Sequence, residues 1–279
     1  MEIGCNTVAF RKFPLEVALD RVADAGYEYV EVEANLSWCS HADPWKDDPS
    51  KFAETVSSYG FLGVSALGSH RELISDERSV ADLSRALEWC GEAGVPIVIT
   101  GEGRMPEGMS EEHAIGILSE RLPALAEVAA RSRVKIALED HGSISLGSLD
   151  GLPRILEIVD SEWVVVNFDT ANIHRGDYVG TTHEGYAWKL DHAQGYDEVE
   201  LLRRVASRVG HLHIKDVVGR DAVALGRGDI DLMGCLGVLK DTGFKGVLSY
   251  ETEGNEDMEA ATEMITTSRS YLADALRGL

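Results

Sequence analysis

Eight short apolar segments rich in β-branched residues recur along the chain, and each is followed by a stretch with apolar residues at helical spacing. They fall at 2–6, 29–33, 63–67, 96–100, 135–139, 164–169, 211–215 and 247–251. Between them lie patterns such as "PLEVALDRVADAG", "SVADLSRALEWCGEAG" and "SERLPALAEVAARS". Gly26, Gly60, Gly94 and Gly243 stand where a helix has to stop before the next strand. Such alternation makes the strands parallel, because a parallel neighbour is reached only through a crossover. The economical closure is an α/β fold of the (β/α)8 TIM-barrel type, one domain over residues 1–279, a normal length for one barrel. An open doubly wound sheet is the alternative, but it usually carries a glycine-rich phosphate loop after its first strand, and "MEIGCNTVAF" has none. "GRGDID" (226–231) lacks the third glycine of that fingerprint and reads as a turn, with Asp229 or Asp231 capping the next helix.

Four later strands end in ionisable residues: "IALEDHG" (136–142), "VVVNFDTAN" (164–172), "VGHLHIKDV" (209–217) and "GVLSYETEG" (246–254). Charges at the ends of core strands are costly unless partnered, and in a barrel the carboxyl ends of the strands carry the active site. Side chains alternate along a strand. On the fifth strand Ala137, Glu139 and His141 share one face; on the sixth, Asn167, Asp169 and Ala171. On the seventh it is His211, His213 and Lys215, and on the eighth Ser249, Glu251 and Glu253. Glu139, Asp169, His213 and Glu251 therefore converge on one mouth. Three carboxylates so placed repel one another unless a cation joins them. With one histidine they predict a single divalent ion, manganese first, with magnesium or cobalt as alternatives. Zinc more typically recruits further His or Cys. Taken singly, each residue could equally be a cap or a surface partner; the matching faces of four consecutive strands favour the metal. His211 lies one layer deeper than His213 and is assigned to orienting a ligand.

Composition narrows the partners. A formal net charge of -22 and the lack of a Lys/Arg cluster argue against nucleic acid. No run of about 18 apolar residues predicts a membrane span, and the opening residues lack a basic-then-apolar leader, so a cytoplasmic protein is expected. Cys5, Cys39, Cys90 and Cys235 form no C-x-x-C pair and read as buried free thiols. The irregular stretch 172–197 is long enough to suggest a functional loop. Its His174 and His183 gain interest only if it covers the mouth; His41, His113 and His192 carry no signal of their own. Trp38 and Trp188 either wall a sugar pocket or pack. Self-association is compatible with such a barrel.

With these residues in hand, the chain resembles the xylose isomerase-like TIM-barrel superfamily, and within it the sugar-phosphate isomerase/epimerase branch, with ketose 3-epimerases and inosose isomerases or dehydratases as relatives. "ALEDHG" resembles the family's Leu-Glu-x-His strand end, "NFDTAN" its Asp-Thr-x-Asn/His element, and "GHLHIKD" its His-x-His-x-Lys-Asp strand. "GRGDIDL…GFKGVLSYETEG" resembles the closing block, and the similarity runs from "GYEYVEVE" to about residue 275. The resemblance implies Glu139, Asp169, His213 and Glu251 as metal ligands, and Glu31 or Glu33, His70 and Lys215 around the substrate. The chain departs from the 3-epimerases and the endonuclease IV branch by carrying Asn172 where they have Asp-x-x-His. Asn172 thus joins Glu33, His70 and His211 as a candidate on the substrate side, and with the -22 charge it weighs against the endonuclease.

The chemistry expected of such a site is isomerisation or epimerisation of a small sugar, ketose or cyclitol. A metal chelated by two adjacent oxygens polarises the carbonyl and stabilises the enediolate, with Glu139 and Glu251 as base and acid on opposite sides. Loss of a β-hydroxyl instead would make the same site a dehydratase or lyase, with Lys215 or His141 supplying the leaving-group proton. His141 could equally position Glu139, and Lys215 could simply neutralise Asp216 or a metal-bound carboxylate. No arginine-rich phosphate site stands out, which favours an unphosphorylated substrate.

Overall fold

The computed structural model describes residues 1–35, 37–175, 194–219, 221–252 and 254–279. Glu253, His183, Trp188, His192 and most of the 172–197 stretch lie outside the described residues.

Eight strands line the barrel: β1 (Glu2–Asn6), β2 (Tyr29–Asn35), β3 (Gly63–Gly68), β4 (Ile97–Thr100), β5 (Lys135–Glu139), β6 (Val164–Asp169), β7 (Val209–Ile214) and β8 (Val247–Tyr250). Each pairs in parallel with the next, and β8 and β2 both pair with β1, which closes the ring. The seventh strand starts at Val209, two residues before the position expected from hydropathy, and stops at Ile214, so Lys215 lies just past it. Cys39–Ser40 adds a short antiparallel rung to β2, and Asp216–Val218 pairs with Asp221–Val223 in a small hairpin after β7.

The intervening helices form where amphipathic spacing meets a cap. Asp48, Ser110, Asp197, Asp231 and Asp257 each accept a hydrogen bond from a first-turn amide. Asp231, rather than Asp229, is thus the cap in "GRGDID". At the other end of Ser79–Ala93, Gly94 takes φ 76° and returns its N–H to Cys90 O, a left-handed stop that suits a residue without Cβ. All four cysteines are buried and free. Among the described residues, no helix is long and apolar enough to cross a membrane.

Among the described residues the buried apolar side chains form two clusters. The larger packs helices against the outer faces of the strands. The smaller, Ala66, Ile97, Ile99, Ala137 and Val165, plugs the lumen. Ala137 and Val165 share their strand faces with Glu139 and with Asn167 and Asp169, so the polar residues stack directly above this plug. The fold thereby fixes a depth scale: apolar floor, buried polar layer, mouth.

Candidate metal centre

The register sets the centre. Asp169 lies opposite His213 across β6 and β7, Ser249 lies opposite His213 across β7 and β8, and Glu139 lies opposite Asn167 across β5 and β6. Glu139, Asp169, His213 and Glu251 each bring a donor atom into one cluster, all within 4.8 Å of one another. His213 Nδ1 is the nitrogen that faces the carboxylates, at 2.8 Å from Glu251 Oε2, 3.5 Å from Glu139 Oε1 and 3.8 Å from Asp169 Oδ2. Lys215 Nζ reaches in beside it, 2.9 Å from Asp169 Oδ2 and 3.1 Å from Glu251 Oε2. The lysine thus neutralises the carboxylates of the cluster. Asp216 is occupied elsewhere, accepting the backbone N–H groups of Val217, Gly226, Arg227, Gly228 and Ile230.

Burial and charge pull against each other here. Burial pushes the Glu139 carboxyl up, but His213 and His70 outweigh it and hold the group well below its ordinary range. Asp169 behaves likewise, with burial opposed by Lys215 and His213. Burial pushes His213 down, yet Glu251, Glu31 and Glu139 together raise it well above the ordinary histidine range. A buried set of hard carboxylate oxygens around one imidazole nitrogen fits a divalent cation. Asp169 Oδ2 and Glu251 Oε2, buried and without a well-formed hydrogen bond, are the oxygens best placed to take one.

The surrounding residues hold these groups in place. Glu139 is gripped at both oxygens, by Asn172 Nδ2 at 3.0 Å and by His70 Nε2 at 2.8 Å. His70 is set in turn by Asn35, whose Oδ1 accepts the His70 amide at 2.8 Å and whose Nδ2 lies 3.3 Å from Nδ1. Glu33 is buried and accepts from Asn6 Nδ2 and Asn35 Nδ2. Burial, then the charge of Glu31, pushes it up to about 7. Its carboxyl occupies the space a side chain at position 68 would need, because a Cβ on Gly68 would lie 2.4 Å from Glu33 Oε1. Asp140, pushed well up by burial and the nearby Asp169, accepts the Asp169 amide at 2.7 Å and ties the two strand ends together.

The two strand ends past the ladder differ. Lys215 keeps the lumen direction implied by alternation, and Thr170 bonds its N–H and C=O. His141 does not continue β5. Its N–H turns back onto Glu139 O at 2.8 Å, and its ring meets His70 edge-on at 5.0 Å. Burial pushes it down to about 3. Glu139 takes its hydrogen bonds from Asn172 and His70. His211 sits a layer below His213, against Asn167 and Glu31, one remove from the mouth. His174 bonds Glu198 at 2.9 Å, and Trp38 lies beneath the Arg11 guanidinium, 5.7 Å from its ring centre. Asn6 and Asn35 carry no hydropathy signal, and Asn167, which alternation places on the lumen face, receives no role from it. Their only signal is an amide at a strand end with lumen parity. A cavity of about 630 Å³ lined by Arg21, Met258 and Thr262 lies on the outer helices, apart from the cluster of buried charge.

Residues 19–272 match the family described as xylose isomerase-like TIM barrel. An inosose dehydratase of Clostridium perfringens is 23% identical over 208 residues, and the match spans 64% of this chain and 64% of that relative's length. An inosose isomerase of Halalkalibacterium halodurans is 22% identical over 270 residues, 90% of this chain and 87% of its own. The solved structure of an IOLI protein with a binding zinc atom superposes with a TM-score of 0.78 at 21% identity, covering 100% of this chain and 99% of that one. That likeness is one of fold.

Proposed function

The chain belongs to the xylose isomerase-like TIM-barrel family, and we propose that it is a divalent-metal-dependent isomerase or epimerase of a small sugar, ketose or cyclitol. The observation that carries this reading is His213 Nδ1, surrounded at 2.8 to 3.8 Å by one oxygen each of Glu251, Glu139 and Asp169. Those four residues would hold one ion, manganese in the first instance. When bound, it supplies Lewis-acid polarisation of a substrate carbonyl and so acidifies the neighbouring C–H.

The chain's own groups handle the proton. Glu139, kept ionised by His213 and His70, is the base. Glu251 stands across the centre, 11% exposed and with Lys215 Nζ 3.1 Å from Oε2, and returns a proton on the other side. Asn172 offers Oδ1, a buried acceptor without a hydrogen-bond partner, to a substrate hydroxyl. His70 and Glu33, joined through Asn35, are placed on the same side.

A second reading is elimination of water. It is favoured by Lys215, a buried ammonium next to Glu251 that could protonate a leaving hydroxyl, and by the inosose dehydratase relative. Incubating ketoses, aldoses and inososes in deuterated water with Mn²⁺, then with EDTA, separates the two. Metal-dependent deuterium uptake beside the carbonyl without further mass change marks an isomerase or epimerase, whereas loss of water marks the dehydratase. A Glu251→Gln chain that keeps both metal and activity overturns both.

A further inference from the structure

His213 has two ring nitrogens, and only one faces the cluster. The other, Nε2, lies 2.8 Å from Glu31 Oε1. The same oxygen accepts a second hydrogen bond from Asn6 Nδ2 at 2.9 Å. Glu31 Oε2 lies 3.6 Å from His211 Nε2, and His211 Nδ1 meets Asn167 Oδ1 at 2.9 Å. Asn6, Glu31, Asn167, His211 and His213 are all 0 or 1% exposed. A carboxylate that accepts from Nε2–H commits the imidazole to present Nδ1 as its lone-pair donor.

We propose that Glu31, braced by Asn6, is the positioning residue that turns His213 Nδ1 onto Glu139, Asp169 and Glu251. This rests on the metal reading above and takes Glu31 out of the group of substrate-contacting residues, leaving Glu33 there. Two other roles fit less well. As a substrate contact, Glu31 is one layer too deep, behind His213. As part of a second cation site with His211 and His213, it would compete for Nε2, the atom already donating to it, and His213 would have to give up both ring protons.

The test separates geometry from charge. Glu31→Gln loses the charge but can keep its carbonyl where His213 and Asn6 donate, with its amide towards His211. Glu31→Asp keeps the charge but withdraws the oxygen from Nε2. Mn²⁺ affinity of the full-length, EDTA-stripped chain is measured by electron paramagnetic resonance titration, with urea midpoints as a check on folding. Glu31→Asp is expected to weaken Mn²⁺ about 10- to 100-fold, the range for losing the outer partner of a metal histidine. Glu31→Gln should stay within a few-fold of the unmodified chain. The reverse order, or unmodified affinity in both, overturns the proposal. Glu251→Gln distinguishes the underlying reading: if the unmodified chain binds no Mn²⁺, the metal centre and this proposal fail together. If Mn²⁺ binding is lost in Glu251→Gln but untouched in Glu31→Asp, only this proposal fails.

Discussion

Removing the metal should cost folding stability by an amount set by mass action, because the cluster exists only in the folded chain. Glu139 and Asp169 come from β5 and β6, His213 from β7 and Glu251 from the end of β8. Unfolding separates them by tens of residues and destroys the site. Each tenfold rise in free ion above the dissociation constant then adds about 1.4 kcal/mol to the folded state, and an ion at 100 times that constant contributes about 2.7 kcal/mol. Unfolding entropy of roughly 2.1 cal/mol/K per residue amounts to about 0.6 kcal/mol/K over 279 residues. The melting temperature should therefore climb by about 2 °C per decade of Mn²⁺, and by about 5 °C in all between the stripped chain and 100-fold saturation.

The assay is calorimetry of the EDTA-treated, desalted chain across micromolar to millimolar Mn²⁺, repeated with Mg²⁺ and Co²⁺. Asp169→Asn is the matched control, since it keeps shape and removes one ligand charge. A melting temperature flat over three decades of every ion, or the same slope in Asp169→Asn, would refute the reasoning from the cluster. The Lys215 contacts sharpen the expectation. Lys215 Nζ lies against Asp169 and Glu251 and offsets part of the cluster's charge from within the chain, so the stripped chain should still fold cooperatively instead of collapsing.

Three further outcomes are expected at residues that do not ligate the ion. Glu102 is buried, with Ile144 N, Ser145 N and Ser145 Oγ bonded to its oxygens, and burial pushes it up to about 7. The folded chain then holds this proton more tightly than the unfolded one, so the contribution is complete below about pH 4.5 and is lost as pH rises through about 7, by roughly 3 kcal/mol. Glu102→Gln should match the unmodified chain in urea midpoint at pH 4 and exceed it at pH 8; lower stability at pH 8 would sink the reasoning. Gly68→Ala should cost about 1 to 3 kcal/mol in urea denaturation, since its Cβ would lie 2.4 Å from the Glu33 carboxylate. Asp216→Ala should cost more than about 3 kcal/mol by the same measurement, because it strands backbone amides from Val217 to Ile230. Asp216→Asn, which keeps one acceptor oxygen, should recover part of the loss.

The barrel was legible because its strongest signal is periodic. Eight apolar segments separated by helical spacing leave few topologies, and the ladder then places Glu139, Asp169 and His213 by alternation alone. Alternation fails where the ladder ends. At His141 the backbone turns back onto Glu139 O, so alternation no longer assigns its direction, and its ring meets His70 edge-on. At Lys215 the same extrapolation holds because Thr170 bonds both backbone groups and carries the strand direction one residue further.

Depth is what periodicity leaves out. Glu31 and Glu33 share a face of β2, so a period of two ranks them equally as substrate contacts. Three-dimensional pairing separates them. Asn6 aligns with Glu31 at the β1–β2 rung, and the β2–β3 ladder shifts register between Val30 and Glu31, which brings Glu33 level with Gly68. Glu31 consequently lies behind His213, where it fixes a ring, while Glu33 sits in the gap left by a missing side chain on β3. A register shift in one strand pair has no hydropathy signature, since it changes which neighbour a residue meets and not which face it occupies. The amides Asn6, Asn35 and Asn167 escape for a related reason: uncharged and scattered over β1, β2 and β6, they acquire meaning only once the layers are stacked. The ligands of such a centre are therefore readable from strand ends, but the residues that aim them must be read from the register.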